Sequence, residues 1–419
     1  MNAQFSKIEV NNIKNNLTNL SQLVFEVTDV CNLKCRYCGY GELYEGYDPR
    51  GKGNLSLKKA CNILDYLANL WNENIGTSII QPITLDFYGG EPLINVKLIK
   101  EIIAYAESLK ITGKKFHYGM TTNGLLLDKH MDYIADKEFN LLISLDGNEL
   151  DHSYRIDHQG KNSHKQIIEN VRLLQQSHPD YFKRHVRFNT VLHNMNSVES
   201  AHNYIKNNFE KETVISPLNN SGIRKDKEKD FLRMFQNANN SIEKTANREE
   251  LEAKLFLQAP NIQLLTDFLY NYSGNMLDSF NSVIFDEKTL KTKPTGTCIP
   301  FFKKMFITVT GKILQCEKIN HEFAVGQVTD EGVEMDLYYI AQIANDYAFK
   351  VIDECNTCAN TKKCGQCVFQ IDEITSMSPK CPGYISAESF QKYINKNLEY
   401  LGKNPGLYKR IMQEVQIRN

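Results

Sequence analysis

Short apolar runs alternate with longer amphipathic stretches between residues 22 and 217. The apolar runs predict six strands: Gln22–Val27, Ile83–Phe87, Phe116–Met120, Leu141–Leu145, Val186–Leu192 and Val214–Pro217. The stretches between them repeat apolar residues with the period of a helix, most clearly in the helix predicted to begin near Ser56. Further helices are predicted at Val96–Leu109, Met131–Ala135, Lys165–Leu174 and Val198–Ile205. Six β/α units in succession predict an α/β fold, a parallel sheet curved into a partial (β/α)6 TIM-like barrel.

The pattern changes after residue 217. Residues 218–297 are polar and charge-mixed, with helices predicted between 231 and 272. Phe306–Val309 and Lys312–Gln315 flank Thr310-Gly311 as the strands of a hairpin would. These changes predict five parts of the chain: a short N-terminal arm (1–21), the barrel (22–217), a helical bridging segment (218–297), a cysteine-rich domain (298–385) and a helical tail (386–419).

Composition and charge exclude several classes of protein. The 419 residues include 49 Lys+Arg and 50 Asp+Glu, for a net charge of -1. This balance argues against a protein dedicated to nucleic acid or to a membrane surface. No apolar run approaches the ~20 residues of a membrane helix, and the N-terminal residues lack the apolar core of a secretory signal. A cytoplasmic protein is therefore expected.

Ten of the eleven cysteines fall into two groups. Cys31, Cys35 and Cys38 form a C-x3-C-x2-C loop after the first predicted strand. The second group lies in the C-terminal half: Cys298, Cys316, Cys355, Cys358, Cys364, Cys367 and Cys381. Clustered cysteines in a chain without an export signal indicate metal ligation rather than disulfides. Each iron of a 4Fe-4S cluster takes one ligand beyond its sulfides, so three loop cysteines hold three irons and leave the fourth open.

Three short motifs follow the next three predicted strands. They are Gly89-Gly90-Glu91-Pro92, Thr121-Thr122-Asn123-Gly124 and Ser144-Leu145-Asp146-Gly147. The glycines of the first motif allow the backbone to approach a ligand closely, and its carboxylate can accept from an ammonium group. Each motif alone is also typical of a simple turn. Because active sites of such barrels gather at the carboxyl ends of the strands, the motifs and the cysteine loop are expected to meet.

In this order, the loop and the motifs resemble the radical S-adenosyl-L-methionine (SAM) superfamily. The resemblance implies that the open iron binds SAM, whose reductive cleavage gives a 5′-deoxyadenosyl radical that abstracts hydrogen from a substrate. The stretch Asp151-His152-Ser153-Tyr154-Arg155 resembles the H-D-x-x-R of the peptide-modifying branch, with His and Asp exchanged, and implies that Arg155 pairs the SAM carboxylate. By the same resemblance the SAM contacts are Tyr37, Gly89, Gly90, Glu91, Pro92, Thr122, Asn123, Ser144, Asp146, Arg155 and Leu192.

The cysteine-rich domain resembles the SPASM domain, which carries auxiliary iron–sulfur clusters. Gly311 lies between Cys298 and Cys316 at the family's spacing, whereas the interval from Cys364 to Cys367 is one residue short. The resemblance implies one auxiliary cluster held by Cys355, Cys358, Cys364 and Cys381. It implies another held by Cys298, Cys316 and Cys367, which makes three 4Fe-4S clusters in all.

Two points about these cysteines stay open. A zinc ribbon also uses paired C-x2-C units, but it would leave Cys298, Cys316 and Cys381 without a role. Iron and zinc contents after anaerobic purification would separate the two interpretations. In addition, two fully ligated auxiliary clusters need eight thiolates, and the domain supplies seven. The second auxiliary cluster is therefore expected to have one iron open, or to take an oxygen or nitrogen ligand there.

The resemblance also implies a reaction class, because SPASM-bearing members act mostly on peptides or proteins. The leading hypothesis is a maturase that installs a thioether, a C–C (cyclophane) crosslink or another oxidation at an unactivated C–H bond in a ribosomally made precursor peptide. The first alternative is a sulfatase-type maturase that forms formylglycine, although those relatives usually carry eight cysteines in this half. The second is a non-catalytic peptide-delivery scaffold, but such proteins typically lose the cluster loop. Glu317 matches the Asp base of formylglycine-forming relatives, and an exposed hairpin residue is its other interpretation.

Two further partners are expected beside the precursor peptide. An electron donor such as flavodoxin or ferredoxin is implied by the reductive chemistry. The arm before the first strand is too short for a leader-binding domain of ~50 residues. The peptide leader is therefore expected to bind a separate leader-binding protein, or the barrel and SPASM surfaces.

Overall fold

The structure is a computed structural model, and it describes residues 7–51, 53–74, 82–256, 259–272, 295–361, 364–371 and 373–415. The chain divides into two compact units. The barrel unit comprises residues 9–242 and 298–342, and the C-terminal unit comprises residues 1–8, 243–297 and 343–419. The five parts that the sequence suggests stay a prediction.

The barrel unit is built on a ten-stranded sheet. Six parallel strands form its larger part: Gln22–Thr28 (β1), Ile83–Gly89 (β2), Phe116–Thr122 (β3), Asn140–Ser144 (β4), Val186–Leu192 (β5) and Thr213–Pro217 (β6). Its described helices include Val10–Thr18 (α1), Leu57–Glu73 (α2), Val96–Ser108 (α3), Leu127–Asp136 (α4), His164–Ser177 (α5), Pro179–His185 (α6), Val198–Phe209 (α7), Glu228–Met234 (α8) and Ala238–Glu243 (α9). The predicted α/β fold with a parallel sheet is confirmed.

The core of the barrel unit lies between the sheet and its helices. Phe25 of β1 stacks on Phe87 of β2 with ring centroids 6.3 Å apart, and Phe87 contacts Phe139 at 6.0 Å. Helix α2 begins after Ser56 because the Ser56 hydroxyl accepts from the N–H of Lys59 at 3.1 Å. Since side chains alternate along a strand, the residues next to Phe25 and Phe87 point to the opposite face of the sheet.

Helix α1 lies in the segment that the sequence indicates only as an arm. It buries Ile13 and Leu17. The Leu17 carbonyl accepts from the indole Nε1 of Trp71 on α2 at 3.0 Å. Helix α1 is therefore part of the barrel unit's core.

Four short strands extend the sheet beyond β1: Met305–Ile307 (β7), Lys312–Leu314 (β8), Gly326–Val328 (β9) and Val333–Glu334 (β10). Strand β7 pairs with β1 in parallel, and β7 and β8 form an antiparallel hairpin where the sequence predicts one. Gly311 in the hairpin turn has φ +92°, and a side chain there would collide with the carbonyl of Val328. The segment that carries Cys316 and Glu317 is thus attached to the first barrel strand.

The C-terminal unit is mainly helical in its described residues. Helices assigned wholly or partly to it are Arg248–Leu255 (α10), Pro260–Tyr272 (α11), Leu337–Phe349 (α12), Ile352–Thr357 (α13), Ala387–Lys403 (α14) and Pro405–Glu414 (α15). Phe268 and Tyr272 of α11 contact Tyr393 of α14 at centroid distances of 5.7 and 6.4 Å. Within the described residues, no helix combines the length and the apolar character needed to cross a membrane.

Candidate active site

The loop after β1 carries Cys31, Cys35 and Cys38 as half-buried free thiols. Burial is the main cause that raises the pKa of Cys31 to about 11 and that of Cys35 to about 12, and the neighbouring thiols raise both further. In the described part of the chain, no three His, Cys, Asp or Glu side chains converge as the ligands of one metal ion would. Three neighbouring thiols on one loop are a ligand set that suits a 4Fe-4S cluster, in which each thiolate binds a different iron.

Residues 154–158, here called the strip, pair with the cysteine loop through the backbone. The N–H of Lys34 donates to the Ile156 carbonyl at 2.7 Å, and the N–H of Arg36 donates to the Tyr154 carbonyl at 3.0 Å. The loop is therefore held along its length by a segment that follows β4.

The two glycines of the first motif bring the end of β2 against the start of the cysteine loop. Gly89 has φ +143°, and a side chain there would collide with the carbonyl of Thr28. At Gly90 a side chain would collide with the carbonyl of Val30. The close approach that only glycine permits is made here to the protein's own backbone, directly before Cys31.

Glu91 is 1% exposed, and its carboxylate accepts from three protein donors. Oε1 accepts from the Leu93 N–H at 3.1 Å and the Thr122 hydroxyl at 2.7 Å, and Oε2 accepts from the Asn123 N–H at 2.8 Å. Burial raises the pKa of Glu91 to about 7, although these hydrogen bonds lower it. Glu91 thus ties the first motif to the second, and its contact with the SAM ammonium stays a prediction.

Two side chains hold the first cysteine of the loop. Asn123 Nδ2 donates to Asn32 Oδ1 at 2.7 Å and lies 3.9 Å from Cys31 Sγ. His158 Nε2 donates to the Cys31 carbonyl at 2.9 Å. The second motif and the strip therefore meet at the same end of the loop.

Asp146 is fully buried and joins the third motif to the cysteine loop. Its carboxylate accepts from the Tyr37 hydroxyl, from Nε and Nη2 of Arg155 (both 3.0 Å) and from the Val191 N–H (3.0 Å). His193 Nε2 lies 3.6 Å from Oδ2. Burial alone would raise the pKa of Asp146, but the charge of Arg155 and the contact with His193 hold it well below its usual range. The carboxylate is therefore ionised and surrounded by protein donors.

The other predicted SAM contacts lie at the same edge of the sheet. Ser144 is 9% exposed at the end of β4, and Leu192 is 1% exposed at the end of β5. Pro92 is buried and opens the short 3-10 helix Pro92–Asn95 after β2. The structure therefore gathers the predicted contacts at neighbouring strand ends, and their roles toward SAM stay predictions.

Glu317 is ion-paired and only 18% exposed. Its Oε1 lies 3.1 Å from Lys304 Nζ, and its Oε2 accepts from the Cys316 thiol at 3.6 Å. Burial raises the pKa of Tyr88, and the nearby charges of Glu317 and Cys38 raise it further. The predicted base and a cysteine of the loop are thus both neighbours of Tyr88.

A buried ion pair near this phenol is absent from the sequence predictions. Glu26 of β1 pairs with Arg50 Nη1 at 2.8 Å and accepts from the Val309 N–H at 3.0 Å. The Arg50 guanidinium lies 3.4 Å from the centre of the Tyr40 ring. The signal in the sequence was the charged residue inside the apolar run of β1. His193 was also missed, although it directly follows β5.

The C-terminal unit brings several of the later cysteines together. Burial raises the pKa of Cys381, and so do the neighbouring thiols of Cys364 and Cys358. The Ile385 N–H donates to Cys358 Sγ and the Gln366 N–H to Cys364 Sγ, both at 3.4 Å. Backbone donors aimed at sulfur suit thiolate ligands. Cys355 is buried on α13.

The remaining cysteines are divided between the units. Cys298 is exposed and Cys316 half-buried in the barrel unit, whereas Cys367 belongs to the C-terminal unit. Cys316 Sγ accepts from the Lys318 N–H at 3.4 Å, as the sulfurs above do from their backbone donors. The grouping of these three cysteines on one cluster stays a prediction.

The fold and the loop define a class, an α/β barrel with a three-cysteine loop after its first strand. Residues 25–206 match the sequence model of the radical SAM superfamily. This part of the chain is therefore a radical SAM domain, and the family of that domain implies SAM and a 4Fe-4S cluster.

Three relatives match part of the chain. An uncharacterized protein of Methanocaldococcus jannaschii is 30% identical over 156 residues, which are 37% of this chain and 49% of that protein. A cysteine-type anaerobic sulfatase-maturating enzyme of Clostridium novyi is 26% identical over 168 residues (39% and 43%). A radical SAM cyclopropyl synthase of Paramaledivibacter caminithermalis is 25% identical over 191 residues (42% and 38%). The chain thus spans less than half the length of each.

A solved structure matches over a much larger part of the chain. Native anSMEcpe with bound AdoMet superposes with a TM-score of 0.57 and 18% identity, over 94% of this chain and 100% of that one. The same protein with bound AdoMet and the Cp18Cys peptide gives the same TM-score. At this identity the likeness shows the fold, including the region of the later cysteines.

Proposed function

We propose that this protein is a radical SAM maturase that oxidises a ribosomally made peptide, installing a thioether or a C–C (cyclophane) crosslink. The observation that carries the proposal is the position of Glu317, which pairs with Lys304 at 3.1 Å and lies, like Cys38 of the cysteine loop, close enough to Tyr88 to raise its pKa beyond the effect of burial. A proton acceptor near a cluster loop suits an oxidation that removes a hydrogen atom, an electron and a proton. The maturases and the cyclopropyl synthase among the relatives support an enzyme rather than a scaffold.

The protein's own residues would prepare the site for its cofactors. The cysteine loop would hold the 4Fe-4S cluster and the strand-end motifs would hold SAM, and together these groups supply, when bound, the 5′-deoxyadenosyl radical. From buried positions, Asp146 holds the third motif against the loop and Glu91 holds the first motif against the second. The apolar side chains around them exclude water, which protects a reactive radical.

Glu317 is the proposed general base. Removal of a hydrogen atom leaves a substrate radical, and formation of the new bond releases one electron and, where a heteroatom or ring carbon is the partner, a proton. Lys304 orients the Glu317 carboxylate through the 3.1 Å contact. Oε2 is then the atom that would take the proton, because its weak contact with the Cys316 thiol would be lost when Cys316 binds iron as a thiolate.

The released electron needs an acceptor, and the later cysteines would supply it as two auxiliary 4Fe-4S clusters. The backbone donors to Cys358, Cys364 and Cys316 support thiolate ligation. With seven cysteines for two clusters, one iron would be open for a substrate thiolate or amide or would carry an oxygen or nitrogen ligand. Iron content, with zinc as the competing metal, tests the assignment.

The second candidate is a formylglycine-forming maturase. It is favoured by the sulfatase-maturating relative and by the position of Glu317 directly after Cys316. The two reactions differ in product. A crosslink removes two hydrogen atoms from the peptide, whereas formylglycine formation from cysteine also replaces sulfur by oxygen.

The test is anaerobic reaction of the iron-loaded protein with SAM, a reductant and the precursor peptide encoded beside its gene. We expect 5′-deoxyadenosine together with a peptide that has lost two hydrogen atoms and gives crosslinked fragments. Replacement of sulfur by oxygen would instead establish the second candidate. Formation of 5′-deoxyadenosine without any change in the peptide would refute both candidate functions for that peptide. A flavodoxin or ferredoxin would serve as the natural reductant, and a separate leader-binding protein would be added where the peptide alone does not bind.

A further inference from the structure

We propose that Asp146 is a positioning residue that holds the cysteine loop in place before any cofactor binds. With Tyr37 and Arg155 it forms a cluster, here called the Asp146 latch. The proposal concerns the loop alone, so it stands or fails independently of the substrate and of the proposed function.

The Asp146 carboxylate accepts hydrogen bonds from the cysteine loop and from the strip, two segments that also pair through their backbones. Tyr37, on the cysteine loop, donates its hydroxyl to Asp146. Arg155, on the strip, donates from Nε to Oδ2 and from Nη2 to Oδ1, both at 3.0 Å. Such a two-bond pair between guanidinium and carboxylate fixes direction as well as distance. All three side chains are at most 7% exposed, so solvent competes little for these bonds.

The latch acts where the backbones of the loop and the strip meet. Arg155 lies between Tyr154 and Ile156, whose carbonyls accept from loop amides. Tyr37 directly follows Arg36, one of the two donors. Holding the side chains of Arg155 and Tyr37 on one carboxylate therefore holds both partners of the backbone pairing, and with them the spacing of the cysteines.

The rings around the latch restrict it further. His193 Nδ1 accepts from the Met195 N–H at 3.2 Å, so the proton of a neutral His193 is on Nε2, the nitrogen that faces Asp146. The His193 ring lies 5.4 Å from the Tyr37 ring, and the Arg155 guanidinium lies 5.4 Å from the Tyr37 centroid. The hydroxyl of Tyr37 is thus held at the carboxylate by packing on two sides.

This geometry gives Arg155 a role beside its predicted contact with SAM. Its Nε and Nη2 are paired with Asp146 in the buried site. Breaking a buried pair leaves an uncompensated charge and is strongly unfavourable. Because a guanidinium has five N–H donors, the pair with Asp146 leaves Nη1 and one N–H of Nη2 for the SAM carboxylate.

The test is hydrogen exchange of the Lys34 and Arg36 amides in the full chain without SAM, first iron-loaded and then after iron removal. We expect Asp146→Asn and Arg155→Gln to speed exchange by roughly tenfold, and Tyr37→Phe by a smaller factor, because each removes part of the latch. The effect should be larger after iron removal, when the cluster no longer holds the loop. Tyr181→Phe is the matched control: it removes the hydroxyl of a buried tyrosine on α6 that donates to the Phe139 carbonyl at 2.6 Å.

A spectroscopic measurement separates positioning from a general loss of stability. The EPR spectrum of the reduced loop cluster, recorded without SAM, should change in Tyr37→Phe and Asp146→Asn and remain that of the wild type in Tyr181→Phe. Unchanged amide exchange in the latch variants together with weakened SAM binding would overturn the proposal in favour of direct contact with SAM. Equal acceleration in Tyr37→Phe and Tyr181→Phe would overturn it too. Should Asp146→Asn fail to fold, Tyr37→Phe alone decides.

Discussion

The two cysteine regions of this protein are held in different ways. Around Cys31, Cys35 and Cys38, buried side chains connect the loop to the ends of several strands. The Asp146 carboxylate accepts from Tyr37 of the loop and from Val191, and the Glu91 carboxylate holds Asn123, which donates to Asn32 of the loop. Around the later cysteines of the C-terminal unit, the described regular structure between 352 and 386 is the helix Ile352–Thr357 and the 3-10 turn Val368–Gln370.

The difference indicates that side-chain contacts order the first cysteine region, whereas bound metal would order the later one. Side-chain networks can fix the first loop without iron, because their donors and acceptors pair with one another. A region with little regular structure gains most of its order from the metal that its thiolates bind. Four predictions test this comparison, and they are given in order of decreasing expected effect.

The largest effect is expected from the first cysteine region. Replacement of Cys31, Cys35 and Cys38 by Ala should abolish SAM cleavage, because no thiolate of the loop is left to hold the cluster. Iron bound elsewhere should remain, measured as a partial loss of iron per chain. Loss of all iron in this variant would contradict separate cysteine regions. The control is Cys61→Ala, which lies on α2 outside both regions and should cleave SAM as the wild type does.

Iron removal should affect the two regions unequally. In the C-terminal unit we expect amide exchange within residues 352–386 to speed up by at least about a hundredfold, because the metal no longer offsets the cost of ordering this segment. Amides of the barrel strands should be little changed, and those of the cysteine loop should change less than those of the C-terminal segment. Equal acceleration in both cysteine regions would contradict the comparison.

Glu317→Gln tests the proton-transfer step apart from the binding of iron and SAM. This variant keeps the shape of the side chain but loses the base, so product formation should fall at least ~100-fold while SAM cleavage and iron content stay unchanged. The matched control is Glu322→Gln, the same change at an exposed position of the barrel unit. Product formation at the wild-type rate would remove Glu317 from the mechanism.

The smallest effect concerns the pH dependence of the barrel unit. Burial raises the pKa of Glu91 from its ordinary 4.5 to about 7. Between these values the folded state binds a proton that the unfolded state has lost, so the contribution of Glu91 to stability falls as the pH rises through this window. The iron-free Glu91→Gln variant should therefore gain stability relative to wild type from about pH 4.5 to about pH 7, by at most about 3 kcal/mol. Urea unfolding at several pH values measures this difference, with exposed Glu149→Gln as the control; a difference independent of pH would refute it.

Local sequence patterns were enough to predict the strands, the cysteine loop and the hairpin that surround the site. The period of the apolar residues predicts the six barrel strands, and the spacing of three cysteines predicts a cluster loop. The hairpin around Gly311 was also predicted, because its glycine separates two apolar runs. Each of these signals lies within a few neighbouring residues.

The partners of the buried carboxylates could not be predicted in this way. Asp146 and Arg155 both resemble SAM contacts in sequence, but in the fold they pair with each other and with Tyr37. That pairing depends on the loop after β1 meeting the segment after β4, which no local pattern encodes. Helix α1 was missed for another reason: it buries only two large apolar side chains among several asparagines, too few for a clear period.

The central claim is that this protein removes a hydrogen atom from a peptide by radical SAM chemistry, and isotope transfer tests it most directly. The iron-loaded, reduced protein is incubated with SAM and a precursor peptide deuterated at its side-chain carbons, and the 5′-deoxyadenosine is analysed by mass spectrometry. The account predicts deuterium in the deoxyadenosine and a modified peptide in matching amounts. A modified peptide without deuterium transfer, or no deoxyadenosine from a protein with its full iron content, would contradict it.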